Sequence, residues 1–314
     1  MNTQHLRYAV EVERTGSIRQ AAENLYMGQP NLSKAIRELE SNLGVTLFKR
    51  SPRGVTITPD GAVFLRYARA ILDKMDEVEA LYRPQNARRQ RFSIAVPRAS
   101  YIALAFARFA AALDLAEEID LNYKETNSLR TIHSVLDGEY SLGIIRFQES
   151  FAQGFWQYLR DKGMAHEELW SFEYVALMSA QHPLAGAETL RHRDLREHVE
   201  LVHGDLSVPF LSDEDGAPPA ASPAKRQIRV YERGGQFDLL VHIPSSYMWV
   251  SPMPQEILKR HGLVQRPCAD MRQHYKDVLV YPEGRRFSEM DKAFLAQLHR
   301  MRDEVSGFLG QNGV

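Results

Sequence analysis

The spacing of apolar residues and glycines between Gly16 and Gly61 constrains this chain more than any other feature. Leu32, Ile36, Leu39 and Leu43 recur at intervals of four, three and four, which marks one face of an α-helix. The helix is expected to start at Gln29-Pro30, because proline suits a first turn whose amide lacks a partner. It is expected to end at Gly44, because glycine takes the left-handed cap readily. That leaves Gln29, Asn31, Ser33, Lys34 and Arg37 largely on the other side, as amide, hydroxyl and cationic donors. Taken alone, such a face is equally that of any solvated helix.

The flanking residues add to this reading. A first helix is read over Gln4–Arg14, and Ser17-Ile18-Arg19-Gln20 matches a capping box that opens a second helix over Ile18–Leu25. Tyr26-Met27-Gly28 is read as a turn. After Gly44, the residues Val45-Thr46-Leu47-Phe48, Lys49–Gly54 and Val55-Thr56-Ile57 read as a hairpin wing with Arg50 and Arg53 at its tip. Thr58-Pro59 then caps and starts a long helix reaching Tyr82. On it Phe64, Ala68, Ile71, Met75, Val78 and Tyr82 form a heptad-like seam that suits either packing within one chain or a dimer contact. Residues 83–91 read as a polar linker. Helix, turn and helix followed by a wing can place the N-terminal half of the third helix in the major groove. There Asn and Gln suit adenine edges and Arg suits guanine, while the wing arginines suit phosphates or the minor groove.

Charge is divided along the chain. Residues 1–91 carry 15 Lys+Arg against 10 Asp+Glu, and the rest carries 24 against 30. A basic first third on an acidic body suits a nucleic-acid-reading head on a separate partner domain. The length of 314 residues allows two or three domains of roughly 100–200 residues each. No apolar run of membrane-spanning length occurs, and Met1–His5 does not start a secretory signal, so the expected compartment is the cytoplasm. Cys268 is the only cysteine, and it reads as a small buried hydrophobe. His192, His198 and His203 do not fit helical metal-ligand spacing, and neither a Gly-x-Ser-x-Gly motif nor a phosphate loop is present. No metal, cofactor or enzymatic activity is expected.

From Arg91 onward, strands and helices alternate. Phe92–Val96, Ile119–Lys124 and Ser141–Ile145 read as strands, with Tyr101–Leu113 and Ser128–Leu136 as the helices between them. This βαβαβ order implies a parallel sheet. Further strands are read near Glu168–Trp170, Tyr174–Ser179, Glu200–His203, Gln227–Tyr231, Tyr247–Val250 and Lys276–Tyr281, with a final helix over Ser288–Leu309. The aromatic segment Phe151–Tyr158 reads as a packed connection between parts of this α/β region, or secondarily as a pocket lining, and residues 212–219 as a solvated acidic loop. Ligands of open α/β sheets lie beyond the carboxyl ends of strands. That rule selects Ser100, Asn127 and Arg146 after successive strands; Arg98, beside Ser100, and His203 and Asp205, at the end of a later strand, are further candidates. Arg146 could pair with a carboxylate bidentately, which makes a small anion the expected ligand. Other roles remain open at these positions: Ser100 and Asn127 suit helix caps, Arg146 an ion pair, and His203 a structural hydrogen bond.

The matched spacings Gly16-Ser17, Ala21-Ala22, Leu25, Gln29-Pro30, Leu32-Ser33, Ile36, Leu39-Glu40, Leu43-Gly44, Leu47-Phe48, Arg50, Thr58-Pro59 and Gly61 resemble the head of the LysR-type regulators. The resemblance departs at Gly28, where that family usually carries Ser or Thr. It implies an α/β protein with a winged helix-turn-helix at 1–58, a linker and dimerisation helix at 59–90, and a two-lobed effector domain like periplasmic binding proteins at 91–314. Lobe I would take about 91–163 and 269–314, and lobe II about 164–268. The implied DNA contacts come from Ser17, Arg19, Gln29, Pro30, Asn31, Ser33, Lys34, Arg37, Arg50 and Arg53. The implied partners are double-stranded DNA bearing a partly palindromic operator, a small-molecule effector, a second chain in a homodimer or homotetramer, and RNA polymerase. The implied function is activation or dual regulation. An effector-independent repressor and a free-standing small-molecule-binding protein are the alternatives.

Overall fold

The computed structural model describes residues 2–51, 54–82, 90–204, 224–271 and 273–311. The wing residue Arg53, the linker 83–89, Asp205 and the acidic loop 212–219 lie outside the described residues, as do the side chains of Arg50 and Tyr82. The chain divides into two compact units, Met1–Arg88 and Arg89–Val314.

The first unit opens with α1 (Thr3–Thr15), α2 (Ile18–Asn24) and α3 (Gln29–Leu43). Ser17 Oγ caps α2 by accepting from the Gln20 amide at 3.3 Å. The Gln20 side chain turns forward to Asn24 at 3.1 Å rather than back to the cap, so only half of the expected capping box forms. Leu32, Ile36 and Leu39 are buried against Ala9, Val12, Ala21 and Leu65. Each such aliphatic side chain stabilises the head by about 1.5–3 kcal/mol on burial. Two positions on α3 depart from the sequence reading. Ser33 is buried at 8 % exposure, whereas Leu43 is 37 % exposed because it sits in the last turn, just before the αL cap at Gly44 (φ 70°).

The wing is the antiparallel pair β1 (Phe48–Ser51) and β2 (Gly54–Ile57). Glu40 Oε1 accepts the amides of Leu47 at 2.8 Å and Phe48 at 3.0 Å, which fixes the wing to α3. α4 (Pro59–Tyr82) follows. Thr58 Oγ1 accepts the Gly61 amide at 2.9 Å and donates to the Thr46 carbonyl at 2.6 Å. Gly61 has no room for a side chain, since a Cβ there would stand 2.2 Å from the Leu47 carbonyl oxygen.

The second unit holds two five-stranded sheets. In lobe I, β3 (Gln90–Val96) pairs in parallel with β4 (Ile119–Glu125) and β5 (Leu142–Gln148), as the βαβαβ pattern predicts. α5 (Ser100–Ala111) and α6 (Ser128–Leu136) make the crossovers. β12 (His274–Pro282) runs antiparallel between β5 and β6 (Met164–Glu173). α10 (Glu289–Gln311) covers one face with α5 through Phe109, Phe294 and Leu298. The aromatic segment forms α7 (Ala152–Asp161), a lobe I helix on the other face, and does not connect the lobes. Phe155 stacks on Phe147 there at 4.3 Å.

Lobe II is the sheet β11-β7-β10-β8-β9, with strands Leu263–Arg266, Val175–Ser179, Ser246–Val250, Val199–His203 and Arg226–Val230. Its α8 (Gln236–His242) and α9 (Gln255–His261) pack through Leu240 and Leu258. Because β6 is hydrogen-bonded to β12, the passage from lobe I to lobe II falls at Tyr174 and not at the expected residue 164.

Candidate nucleic-acid interface and ligand cleft

In the head, Gln29, Asn31, Lys34 and Arg37 stand exposed on α3, over its buried Leu32–Ile36–Leu39 face. Gly28 caps α3 without any side-chain hydrogen bond, and Pro30 occupies the first turn. Arg37 Nε donates to the Ser33 carbonyl at 3.2 Å, and its Nη2 reaches Ser33 Oγ at 3.5 Å. Ser33 therefore positions Arg37 from beneath and does not share its exposure. Arg19 is largely exposed on α2 and pairs with Glu23 at 3.1 Å, a pair of little energetic weight at the surface. Ser17 is engaged as the α2 cap.

The α4 seam divides into two parts. Phe64 packs on the head core and Ala68 is 1 % exposed; the Arg69–Glu13 ion pair fastens the same stretch to α1. Neither Phe64 nor Ala68 lies on the free face. Among the described side chains of α4, the exposed large hydrophobics are Val63, Tyr67, Ile71 and Val78, with Met75 half-buried. Their spacing still follows one helical face.

In the second unit, a cleft between the lobes brings together Arg98, Ser100 and Arg146 of lobe I with His203, Arg233, Gln236 and Trp249 of lobe II; Tyr174 lines it at the crossover. Four of the sequence-selected residues thus meet there. Asn127 does not line the cleft. It caps α6, accepting from the Arg130 amide at 3.0 Å. Ser100 is the first residue of α5, and Ala99 holds the cap position.

The cleft is drawn shut by side chains. Arg233 Nη2 donates to Ser100 Oγ at 2.6 Å, and the same guanidinium is ion-paired with Glu125 at the end of β4. Arg98 Nη2 donates to the Tyr231 carbonyl at 2.8 Å. The space left in the cleft is small, about 40 Å³. A larger hollow of about 530 Å³ on lobe I, walled by Trp156, Arg160, His166 and Glu283, contains none of the strand-end residues.

Arg146 is committed within lobe I. Its Nε and Nη2 form a bidentate pair with Asp277 at 2.7 and 2.6 Å, and Tyr101 donates to the same carboxylate at 2.6 Å. Burial works against the guanidinium charge, but Asp277 outweighs it and the pKa of Arg146 ends above its ordinary value. Burial, then the Asp277 charge, pushes the Tyr101 phenol well up. Burial also raises Tyr174, against the opposing pull of Arg146. The carboxylate expected on Arg146 is therefore supplied by the chain itself. Sequence reasoning missed Glu125 and Arg233; Glu125 ends a strand, so the strand-end rule would have reached it.

Elsewhere, Cys268 is buried, as expected, with Sγ 3.8 Å from His192 Nδ1, and burial pushes its thiol pKa up. No helix among the described residues is long and apolar enough to cross a membrane.

A winged helix-turn-helix head joined to a two-lobed α/β binding unit defines a class of regulatory architecture, and comparison with known proteins agrees. Residues 3–62 match the bacterial regulatory helix-turn-helix protein model of the lysR family, and residues 85–303 match the LysR substrate binding domain. The chain belongs to the LysR family. The uncharacterized HTH-type transcriptional regulator YcgK of Bacillus subtilis is 40 % identical over 101 residues, which is 31 % of this chain and 30 % of that protein. AlsR of the same organism, an HTH-type transcriptional regulator, is 27 % identical over 217 residues, 67 % of each chain. The structure of a full-length OxyR variant from Pseudomonas aeruginosa superposes with a TM-score of 0.62 at 19 % identity, over 95 % of this chain and 98 % of that one. It shares the fold.

Proposed function

We propose that this protein is a sequence-specific DNA-binding transcription regulator, with activation or dual control as its mode, governed by a small anionic effector held between the two lobes. The observation that carries this reading is the set of exposed donors Gln29, Asn31, Lys34 and Arg37 along the N-terminal part of α3, on a helix held to the core by Leu32, Ile36 and Leu39 and flanked by a wing. In this reading Arg37 reads a base edge, Arg50 and Arg53 meet the backbone or minor groove, and the free stripe of α4 pairs two chains on a partly palindromic duplex. A tetramer, contact with RNA polymerase and action in the cytoplasm extend the same reading.

The anion reading rests on Arg98, Arg233 and Ser100 converging with His203 and Gln236. Entry of an effector requires the lobes to part, which breaks the Arg233 contacts to Ser100 and Glu125. An anion that takes over Arg233 then stabilises a second arrangement of the lobes, and regulation follows from that difference in affinity.

Selection of duplexes from a random pool, followed by binding measurements with Arg37→Ala, tests the DNA reading. Specific affinity falls by about 1–3 kcal/mol while binding to random duplex is spared; equal losses on both would overturn base reading at Arg37. A thermal-shift screen of anionic metabolites on wild type and Ser100→Ala tests the effector reading. A ligand response unchanged by the substitution removes Ser100 from the site.

A further inference from the structure

The turn between α2 and α3 carries a side chain that the fold does not use. Tyr26 is the one described residue other than glycine with a positive φ, 53°. Its backbone is held by the turn: the Tyr26 amide donates to Glu23 at 3.1 Å and the Met27 amide to Ala22 at 3.0 Å. Leu25 and Met27 on either side pack against the head core. Tyr26 is left pointing outward at 98 % exposure, so its ring adds nothing to packing. In left-handed backbone, glycine or asparagine serves a turn better than an aromatic residue.

The ring stands two residues ahead of Gly28, the α3 cap, at the same end of the helix as Gln29. Gly28 brings no side-chain polar group to this end, whereas α1, α2 and α4 begin at Asn2, Ser17 and Thr58, whose side chains each accept from a first-turn amide. A phenol combines a neutral O–H donor with an apolar face, which suits a phosphate oxygen and the adjoining deoxyribose.

We propose that Tyr26 is a DNA-backbone contact of the head: its hydroxyl donates to a phosphate flanking the groove that α3 enters, in place of a donor that Gly28 lacks. The inference rests on the DNA reading above and adds a positioning contact to it. A phosphate contact fixes the register of the helix without reading sequence, so its loss weakens cognate and unrelated duplexes alike.

The test uses the full-length chain and a duplex that wild type recovers from a random pool, with a scrambled duplex beside it. Tyr26→Phe is expected to lose roughly three- to tenfold in affinity on both duplexes. Tyr26→Asn, which tolerates the backbone and removes the ring, loses at least as much without any fall in melting temperature. Tyr26→Phe combined with Gly28→Ser is expected to return to within about twofold of wild type. A serine fits at 28, where a Cβ would meet only Asn31 Nδ2 at 3.7 Å and Pro30 Cδ at 3.8 Å. If wild type recovers duplex while both single variants bind within twofold of it, the contact is overturned and the DNA reading stands. Loss in Tyr26→Asn alone overturns the hydroxyl's role. Losses that track a lowered melting temperature make Tyr26 structural and overturn the proposal. A wild-type chain that recovers no duplex overturns the DNA reading and this inference together.

Discussion

Replacing Asp277 by alanine strips Arg146 of its counter-ion in a place where water does little to replace it. The carboxylate is 0 % exposed and the Arg146 side chain 9 %, with two guanidinium contacts at 2.7 and 2.6 Å. Removing one partner of such a buried pair costs about 3–5 kcal/mol, because the remaining charge is stranded. Tyr101 loses its acceptor in the same step. Urea unfolding followed by tryptophan fluorescence reads this unit selectively, since Trp156, Trp170 and Trp249 are the only tryptophans of the chain. Trp170 also lies edge-on to Tyr101 at 5.0 Å, next to the perturbation. With a urea slope of about 2.5 kcal/mol/M, the midpoint falls by roughly 1.5 M. Removing both charges, Arg146→Met with Asp277→Leu, leaves no stranded ion. It costs less than the sum of Arg146→Met and Asp277→Leu made singly, with a coupling of about 2 kcal/mol or more. A cost below about 1 kcal/mol for Asp277→Ala, or strict additivity in the cycle, would refute the reasoning.

Three further outcomes follow from the packing. Gly61→Ala drives a methyl into the Leu47 carbonyl oxygen 2.2 Å away and destabilises the head by about 1–3 kcal/mol, seen as an earlier loss of helical circular dichroism; unchanged melting would show that the wing can give way. His182 is buried, with its pKa pushed down to about 4 by burial and by His198 beside it. Because the folded pKa lies below the unfolded one, the associated stability is present above pH ~6.5 and is lost as the pH falls through about 4, by at most roughly 3 kcal/mol. His182→Asn keeps an acceptor for the Leu184 amide, now 3.0 Å from Nδ1, and flattens the pH dependence of melting; an unchanged slope assigns it to other groups. Ile71→Asp with Val78→Asp places charge on the exposed stripe of α4 and yields monomers at micromolar concentration by sedimentation velocity, while a persistent dimer places the contact elsewhere.

Periodicity and punctuation determined the elements of this protein. Leu32, Ile36 and Leu39 mark α3 because a helix repeats its face every three or four residues. Gly44 and Thr58-Pro59 mark its end and the start of α4 through local backbone preference. The βαβαβ run and its strand ends follow from the same local physics, and they led to Arg98, Ser100, Arg146 and His203, which meet in one cleft. What each side chain does there depends on partners far along the chain. Asp277 lies 131 residues from Arg146 and turns an expected ligand anchor into half of a buried ion pair. Arg233 lies 133 residues from Ser100 and closes the cleft across it. Phe64 and Ala68 fit the α4 seam by spacing, but only the packing of α1 against α4 shows that Ala68 is buried and that the free face runs through Val63, Tyr67, Ile71 and Val78. Tyr26 reads as an ordinary turn residue in the sequence. Its left-handed backbone and exposed ring result from the flanking Leu25 and Met27 turning into the core. Local preference is written residue by residue, whereas ion pairing, burial and exposure are set by whichever distant segment arrives, and only the folded chain decides that.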